Sequence, residues 1–209
     1  MNVGAGAGSY EPRDLDVTAV EPSETMIAQR PEGAARVVRA VAEDLPFEDG
    51  SFDAAMAVLS DHHWTDHERG LAELRRVARR VVLFTWDPAT TYDAWLVNEY
   101  FPDFAKLIPE GFRLEHTARL LGGARIEPVP IPHDCRDGFM HAYWRRPHAY
   151  LDPVVRAGIS VFALIGQDAV ERGVARLRGD LESGEWERRH EDLLALDELD
   201  LGYRLVTSQ

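Results

Sequence analysis

The 209-residue chain is short of several things, and each shortage removes possibilities. Cys135 is its single cysteine, so no intrachain disulfide can form and no second thiol offers metal-ligand spacing. A reducing cytoplasm is the expected compartment. No apolar run approaches the ~20 residues that a bilayer span requires, and no charged-then-apolar leader precedes the first glycines, so no membrane partner is expected. Basic residues are scarce: 23 Lys plus Arg stand against 36 Asp plus Glu, a net charge of −13. That balance repels a phosphate backbone, and DNA is excluded as an expected partner. Lysine is almost absent, Lys106 being the only one. There is no internal repeat, no low-complexity tract and no glycine- or serine-rich linker. With 45% hydrophobic content the chain can bury one substantial core, and a single domain over 1–209 is expected.

What is present is an alternation of short β-branched runs with helical or turn segments. The runs are Asp16–Val20, Arg36–Val41, Phe52–Leu59 and Val81–Trp86. Such alternation predicts a mainly parallel sheet. Ser23 caps an expected helix over 23–30 that Pro31 ends. Asp66–Arg80 is a stronger helix, with Leu71, Leu74 and Val77 on one face and Arg75, Arg76, Arg79 and Arg80 loading its end. Beyond Asp87 the rhythm changes. Leu114–Leu121 reads as a helix closed by Gly122-Gly123, and Arg125–Ile131 as a strand whose alternating Pro128, Pro130 and Pro132 suit an edge. Pro153–Ile165, Asp168–Leu181 and Glu185–Leu196 have helical spacing, and Leu201–Thr207 reads as a closing strand.

Near the amino terminus, Gly4, Gly6 and Gly8 alternate, which lets a strand end in a tight turn whose N–H groups approach a ligand that any Cβ would push away. The next apolar run ends on Glu21, a carboxylate able to accept both hydroxyls of a ribose. This pairing points to an adenosyl cofactor. A nicotinamide fingerprint is less well matched, because Ser9 stands where that pattern requires its third glycine. Ending an apolar strand on a carboxylate is costly unless something pairs with it.

Farther along come Ala42-Glu43-Asp44-Leu45-Pro46-Phe47, Ser51-Phe52-Asp53 and His62-His63-Trp64. With the glycines and Glu21 in this order, residues 1 to about 90 resemble class I S-adenosylmethionine-dependent methyltransferases, specifically the small-molecule, ubiquinone-biosynthesis-like branch. The resemblance implies a Rossmann-like three-layer α/β sandwich with a mostly parallel seven-stranded sheet whose last strand is antiparallel. It assigns 1–90 to cofactor binding and 91–209 to a substrate-side, helical half. Gly4, Gly6 and Gly8 are then expected at the methionine end of S-adenosylmethionine and Glu21 at its ribose. Met26 is expected against adenine, Ala42 and Glu43 at the adenine edge, and Ser60 beside the sulfonium. Two departures stand out: Asn2 replaces the acid that relatives carry two residues before the first glycine, and the amino-terminal lid segment is absent from this sequence.

Methyl transfer from a sulfonium is an in-line displacement, so holding donor and acceptor collinear can contribute roughly 7–11 kcal/mol. A base is needed only for a protonated acceptor, expected here to be a small molecule. His62 and His63 lie just past the fourth strand, at the sheet edge where ligands of open α/β folds bind, and His63 is the first candidate. His133-Asp134-Cys135 is a second cluster, but adjacent strand residues point to opposite faces, and no metal is expected. Tyr92, Trp95, Tyr100, Phe101, Phe139, Tyr143, Trp144 and Tyr150 can wall an acceptor pocket or anchor a core. The competing functions are a nicotinamide-dependent oxidoreductase on a similar layout and a non-catalytic module that keeps the fold.

Overall fold

The computed structural model describes residues 1–108 and 112–208. In chain order the elements are β1 (Asn2–Val3), β2 (Thr18–Val20), α1 (Glu24–Ala28), β3 (Arg36–Val38), β4 (Phe52–Val58), α2 (His67–Val77), β5 (Ala78–Trp86) and α3 (Pro88–Thr91). There follow α4 (Leu114–Leu120), β6 (Arg125–Pro128), β7 (Ile131–Pro132), α5 (Pro153–Ala157), α6 (Val161–Leu164), α7 (Gln167–Glu182), α8 (Glu185–Arg189), α9 (Glu191–Leu194), β8 (Glu198–Leu199) and β9 (Tyr203–Thr207). Two compact units contain them: Met1–Asp87 with Arg113–Pro128 and Arg204–Gln209, and Pro88–Phe112 with Val129–Tyr203.

The first unit is built on a seven-stranded sheet in the order β3-β2-β1-β4-β5-β9-β6. Strands β1 to β5 pair in parallel, and β9 runs antiparallel to β6. This is the Rossmann-like arrangement expected. Sequence order reverses between β1 and β4, and such a switch point opens a crevice at the carboxyl ends of the strands. Gly4 and Ser60 follow those two strands there.

Val3, Ala55, Ala57, Val81 and Leu83 of the sheet bury themselves with Leu71, Leu74 and Val77 of α2 and with Leu114 and Ala118 of α4. The i, i+3 spacing of the α2 leucines puts them on one stripe, and Asp66 caps the helix by accepting the Arg69 N–H at 3.0 Å. Helix α2 stops three residues short of Arg80, because Ala78 is already extended and pairs with Phe52. Arg79 and Arg80 therefore sit in β5, and only Arg75 and Arg76 face the helix dipole. At the far edge β6 ends at Pro128, as its alternating prolines require, and Ile131–Pro132 leaves it to pair with β8.

The second unit is mainly helical around an aromatic core that includes Trp95, Phe101, Phe104, Tyr150, Phe162 and Trp186. Gly173 lets α7 seat against this core, since a Cβ there would fall 2.3 Å from the Phe101 ring. Two of the long helices expected here are each divided. The segment 153–165 breaks at Gly158, and 185–196 breaks at His190.

Candidate functional site

The glycine turn leaves β1 with Gly4, Gly6 and Gly8 all left-handed, at φ of 68°, 53° and 90°. Only glycine adopts these angles without strain. Gly4 has a second constraint, because a Cβ there would lie 2.5 Å from the Cβ of Ser60. Ser60 is buried and donates its hydroxyl to the Val3 carbonyl at 3.0 Å, which locks the ends of β1 and β4 together. Leu59, just before it, is the only non-glycine among the described residues with positive φ, at 49°. Backbone strain of this kind clusters at functional sites.

Glu21 is buried at the tip of β2, and its pairing is now visible. Oε2 accepts the Gly6 N–H at 2.8 Å and Oε1 accepts the Ser23 N–H at 2.9 Å. Each oxygen has a further lone pair, so the carboxylate is fixed in orientation without being saturated. Ser23 caps α1, which has no buried residue, and Met26 on it is 37% exposed. Its Cε lies 3.3 Å from where a Gly6 Cβ would be. Met26 is therefore not a core residue but an apolar cover beside the turn.

Ala42 is buried and packs in the core. The Glu43 carboxylate reaches toward α2, where Oε1 accepts the N–H groups of Thr65 at 2.6 Å and Asp66 at 3.1 Å. Glu43 thus braces the turn that carries the histidine pair. The Leu-Pro-Phe segment is clasped by α2: Arg76 donates to the carbonyls of Phe47 at 2.7 Å and Leu45 at 2.9 Å, and Glu73 accepts the Leu45 N–H at 2.9 Å. Nothing in the local sequence joins Leu45 to Arg76; the tertiary fold does.

His62 and His63 occupy a tight turn over Asp61–His63, their rings 3.9 Å apart. Trp64 fixes this turn by pressing on Gly70, where a Cβ would meet its ring at 2.5 Å. His62 is half-buried against Trp86, and burial, followed by the neighbouring His63, lowers its pKa to about 4 against the opposing pull of Asp61. His63 is exposed. Asp61, which sequence reasoning passed over, is buried; its Oδ2 accepts the Thr85 hydroxyl at 3.0 Å and lies 3.2 Å from His67 Nε2. In this unit the buried atoms Asn2 Oδ1, Asp61 Oδ1 and His62 Nδ1 have no hydrogen-bond partner among the described residues.

The second unit decides between the two readings of its aromatics. Trp95, Tyr100, Phe101, Trp144 and Tyr150 are buried as core, while Tyr92, Phe139 and Tyr143 keep part of their surface open. His141, also passed over, is fully buried, its Nε2 is 2.9 Å from the Thr91 carbonyl, and burial lowers its pKa to about 4. No group of three metal-capable side chains occurs among the described residues, and none of the helices formed by those residues is long and apolar enough to cross a membrane.

Residues 1–84 match the family model for a methyltransferase domain. Among solved structures, the chain is 35% identical to an Anabaena variabilis ATCC 29413 protein described as a candidate methyltransferase from an antibiotic biosynthesis pathway, with TM-score 0.92 over 100% of this chain and 90% of that one. It also resembles the YcgJ protein of Bacillus subtilis, at 17% identity and TM-score 0.54 over 99% of this chain and 88% of the other. The [4+2]-cyclase SpnF is similar at 18% identity and TM-score 0.53, over 99% of this chain and 72% of that one. The last two likenesses concern the fold alone.

Proposed function

The chain belongs to the class I S-adenosylmethionine-dependent methyltransferases, and on that premise we propose that it methylates a small-molecule acceptor by in-line displacement. The observation that carries this reading is Glu21, a buried carboxylate held by two backbone N–H groups beside a turn of three left-handed glycines, with acceptor capacity left for two ribose hydroxyls. The cofactor, when bound, supplies an electrophilic methyl group on a sulfonium. The residues that would hold it are the left-handed turn at Gly4, Gly6 and Gly8 at its methionine end, Met26 over adenine, and the Ala42 N–H with the second Glu43 oxygen at the adenine edge. Ser60 would border the sulfonium, and the buried Asn2 Oδ1, which has no hydrogen-bond partner among the described residues, would be an acceptor for the cofactor's positive charge.

For an acceptor that must lose a proton, His63 is the base. His62, its pKa lowered to about 4 by burial, accepts a proton weakly at physiological pH, and His63 is the exposed member of the pair. His62 and Trp86 then serve as the apolar wall behind it. The experiment is calorimetry of the 209-residue chain with S-adenosylhomocysteine and, separately, with NADH. Saturable binding of the first and none of the second is expected. Tight NADH binding without any response to S-adenosylhomocysteine overturns the reading in favour of an oxidoreductase, and no heat with either at about millimolar concentration points to a non-catalytic module.

A further inference from the structure

The crossover from β1 to β2 contains no helix. Parallel neighbours are ordinarily joined through one, and a glycine-rich turn ordinarily runs into its amino terminus, which holds the turn's backbone in place. Residues 4–17 pass through turns instead, held at Gly4 and Ala5 by the Val20 carbonyl and farther along by a buried ion pair. Arg30 and Glu11 are paired, with side chains only 5% and 8% exposed. Arg30 Nη2 also donates to the Ala35 carbonyl at 3.1 Å, and Glu11 Oε2 accepts the Ala35 N–H at 2.9 Å. The other arm, Nη1, donates to the Gly6 carbonyl at 3.1 Å. Gly6 is thereby gripped on both sides, its N–H by Glu21 at 2.8 Å and its carbonyl by Arg30.

We propose that Arg30 is a positioning residue for the cofactor: paired with Glu11, it stands in for the missing helix and holds Gly6 so that the Glu21 carboxylate is presented to the ribose. The proposal rests on the cofactor reading above. A guanidinium suits this place because its fork reaches Glu11, Ala35 and Gly6 at once, which a single ammonium cannot do. Ordering the turn in the free protein removes that ordering cost from the binding step. A purely structural pair predicts lost stability with unchanged affinity; a positioning pair predicts the reverse once stability is restored.

Removing Arg30 alone leaves Glu11 buried and uncompensated, so the decisive variant is Glu11→Leu/Arg30→Met, which replaces the pair by apolar groups of similar bulk. S-adenosylhomocysteine affinity by calorimetry and thermal midpoint are measured for wild type, this double variant, Glu21→Gln, Arg30→Lys and the combination of the double variant with Glu21→Gln. The expected result is a folded double variant that binds about tenfold or more weakly, the scale of one charge-assisted hydrogen bond, with Arg30→Lys also weakened. Glu21→Gln should then add less to the double variant than to wild type, because both act through Gly6. Wild-type affinity in the folded double variant overturns the proposal, as does full additivity with Glu21→Gln. If the double variant does not fold, Arg30→Lys decides by the same criterion of affinity. Absence of binding by the wild type is the separate outcome in which the cofactor reading itself fails.

Discussion

Replacing Glu21 tests the centre of the site. The carboxylate receives Gly6 N–H on Oε2 at 2.8 Å and Ser23 N–H on Oε1 at 2.9 Å, so two lone pairs remain for the ribose. Glu21→Ala removes the ribose acceptors and also strands both amides. A charge-assisted hydrogen bond is worth about 1.5–3 kcal/mol, so S-adenosylhomocysteine should bind about 10- to 150-fold more weakly. Stability should fall too, by about 1–3 kcal/mol for each N–H that remains buried without an acceptor. Glu21→Gln separates the two effects, since its single carbonyl can serve one amide while its NH2 group faces the other. The assay is calorimetry with S-adenosylhomocysteine and with its 2′-deoxy analogue. Wild type should discriminate between the two ligands, and Glu21→Ala should not. A dissociation constant unchanged in Glu21→Ala, or discrimination that survives it, refutes the ribose assignment.

Other perturbations have equally definite outcomes. Gly4→Ala forces alanine to φ of 68° and sets its Cβ 2.5 Å from that of Ser60, so strain of about 1–3 kcal/mol precedes the overlap. A lower thermal midpoint is expected, partly recovered by adding Ser60→Gly; no recovery refutes the close packing of β1 on β4. Met26→Ala should change stability by less than about 0.5 kcal/mol, because the side chain is 37% exposed, yet weaken S-adenosylhomocysteine binding about 2- to 10-fold. Lost stability with retained affinity contradicts the adenine assignment. His63→Ala should lower turnover far more than cofactor affinity, and an equal loss in both identifies a structural role instead. His141 predicts a pH response: its pKa is about 4 when folded against an ordinary 6.5, so the unfolded chain takes up a proton that the folded one refuses. Its contribution is complete above pH 6.5, declines as pH falls and is gone below about 4, a loss of roughly 3 kcal/mol. Urea unfolding followed by tryptophan fluorescence between pH 7 and 5 should show this slope in wild type and a smaller one in His141→Asn; identical slopes contradict it.

Features encoded by local pattern were legible in the sequence. The i, i+3 spacing of Leu71, Leu74 and Val77 marked α2, Asp66 marked its start, and the alternating prolines marked β6 as an edge. Glycines at 4, 6 and 8 announced a tight turn, which the structure makes left-handed at all three, and Glu21 announced a partner. Boundaries were less legible, because strand pairing overrides propensity. Ala78 pairs with Phe52, and α2 gives way to β5 without a loop. The aromatics after Asp87 were ambiguous, since a buried and a half-open ring look alike in sequence.

Side chains joined across the fold were not legible at all. Arg30 read as the end of a helix and Glu11 carried no signal, yet together they close on Gly6. Glu43 read as an adenine-edge residue, and the fold gives one of its oxygens to the amides before α2. Asp61 and His141 carried no signal, because a buried polar group is recognised by the partners that surround it, and those partners are distant in the chain. By itself the sequence determined the parallel sheet and the glycine turn, which follow from short-range spacing and from residue types that backbone geometry demands, and its ordered motifs carried the resemblance to the methyl-donor family. Only the tertiary structure decided how that turn is held, because hydrogen bonds between residues 6, 11, 21, 30 and 35 exist only after three strands have aligned.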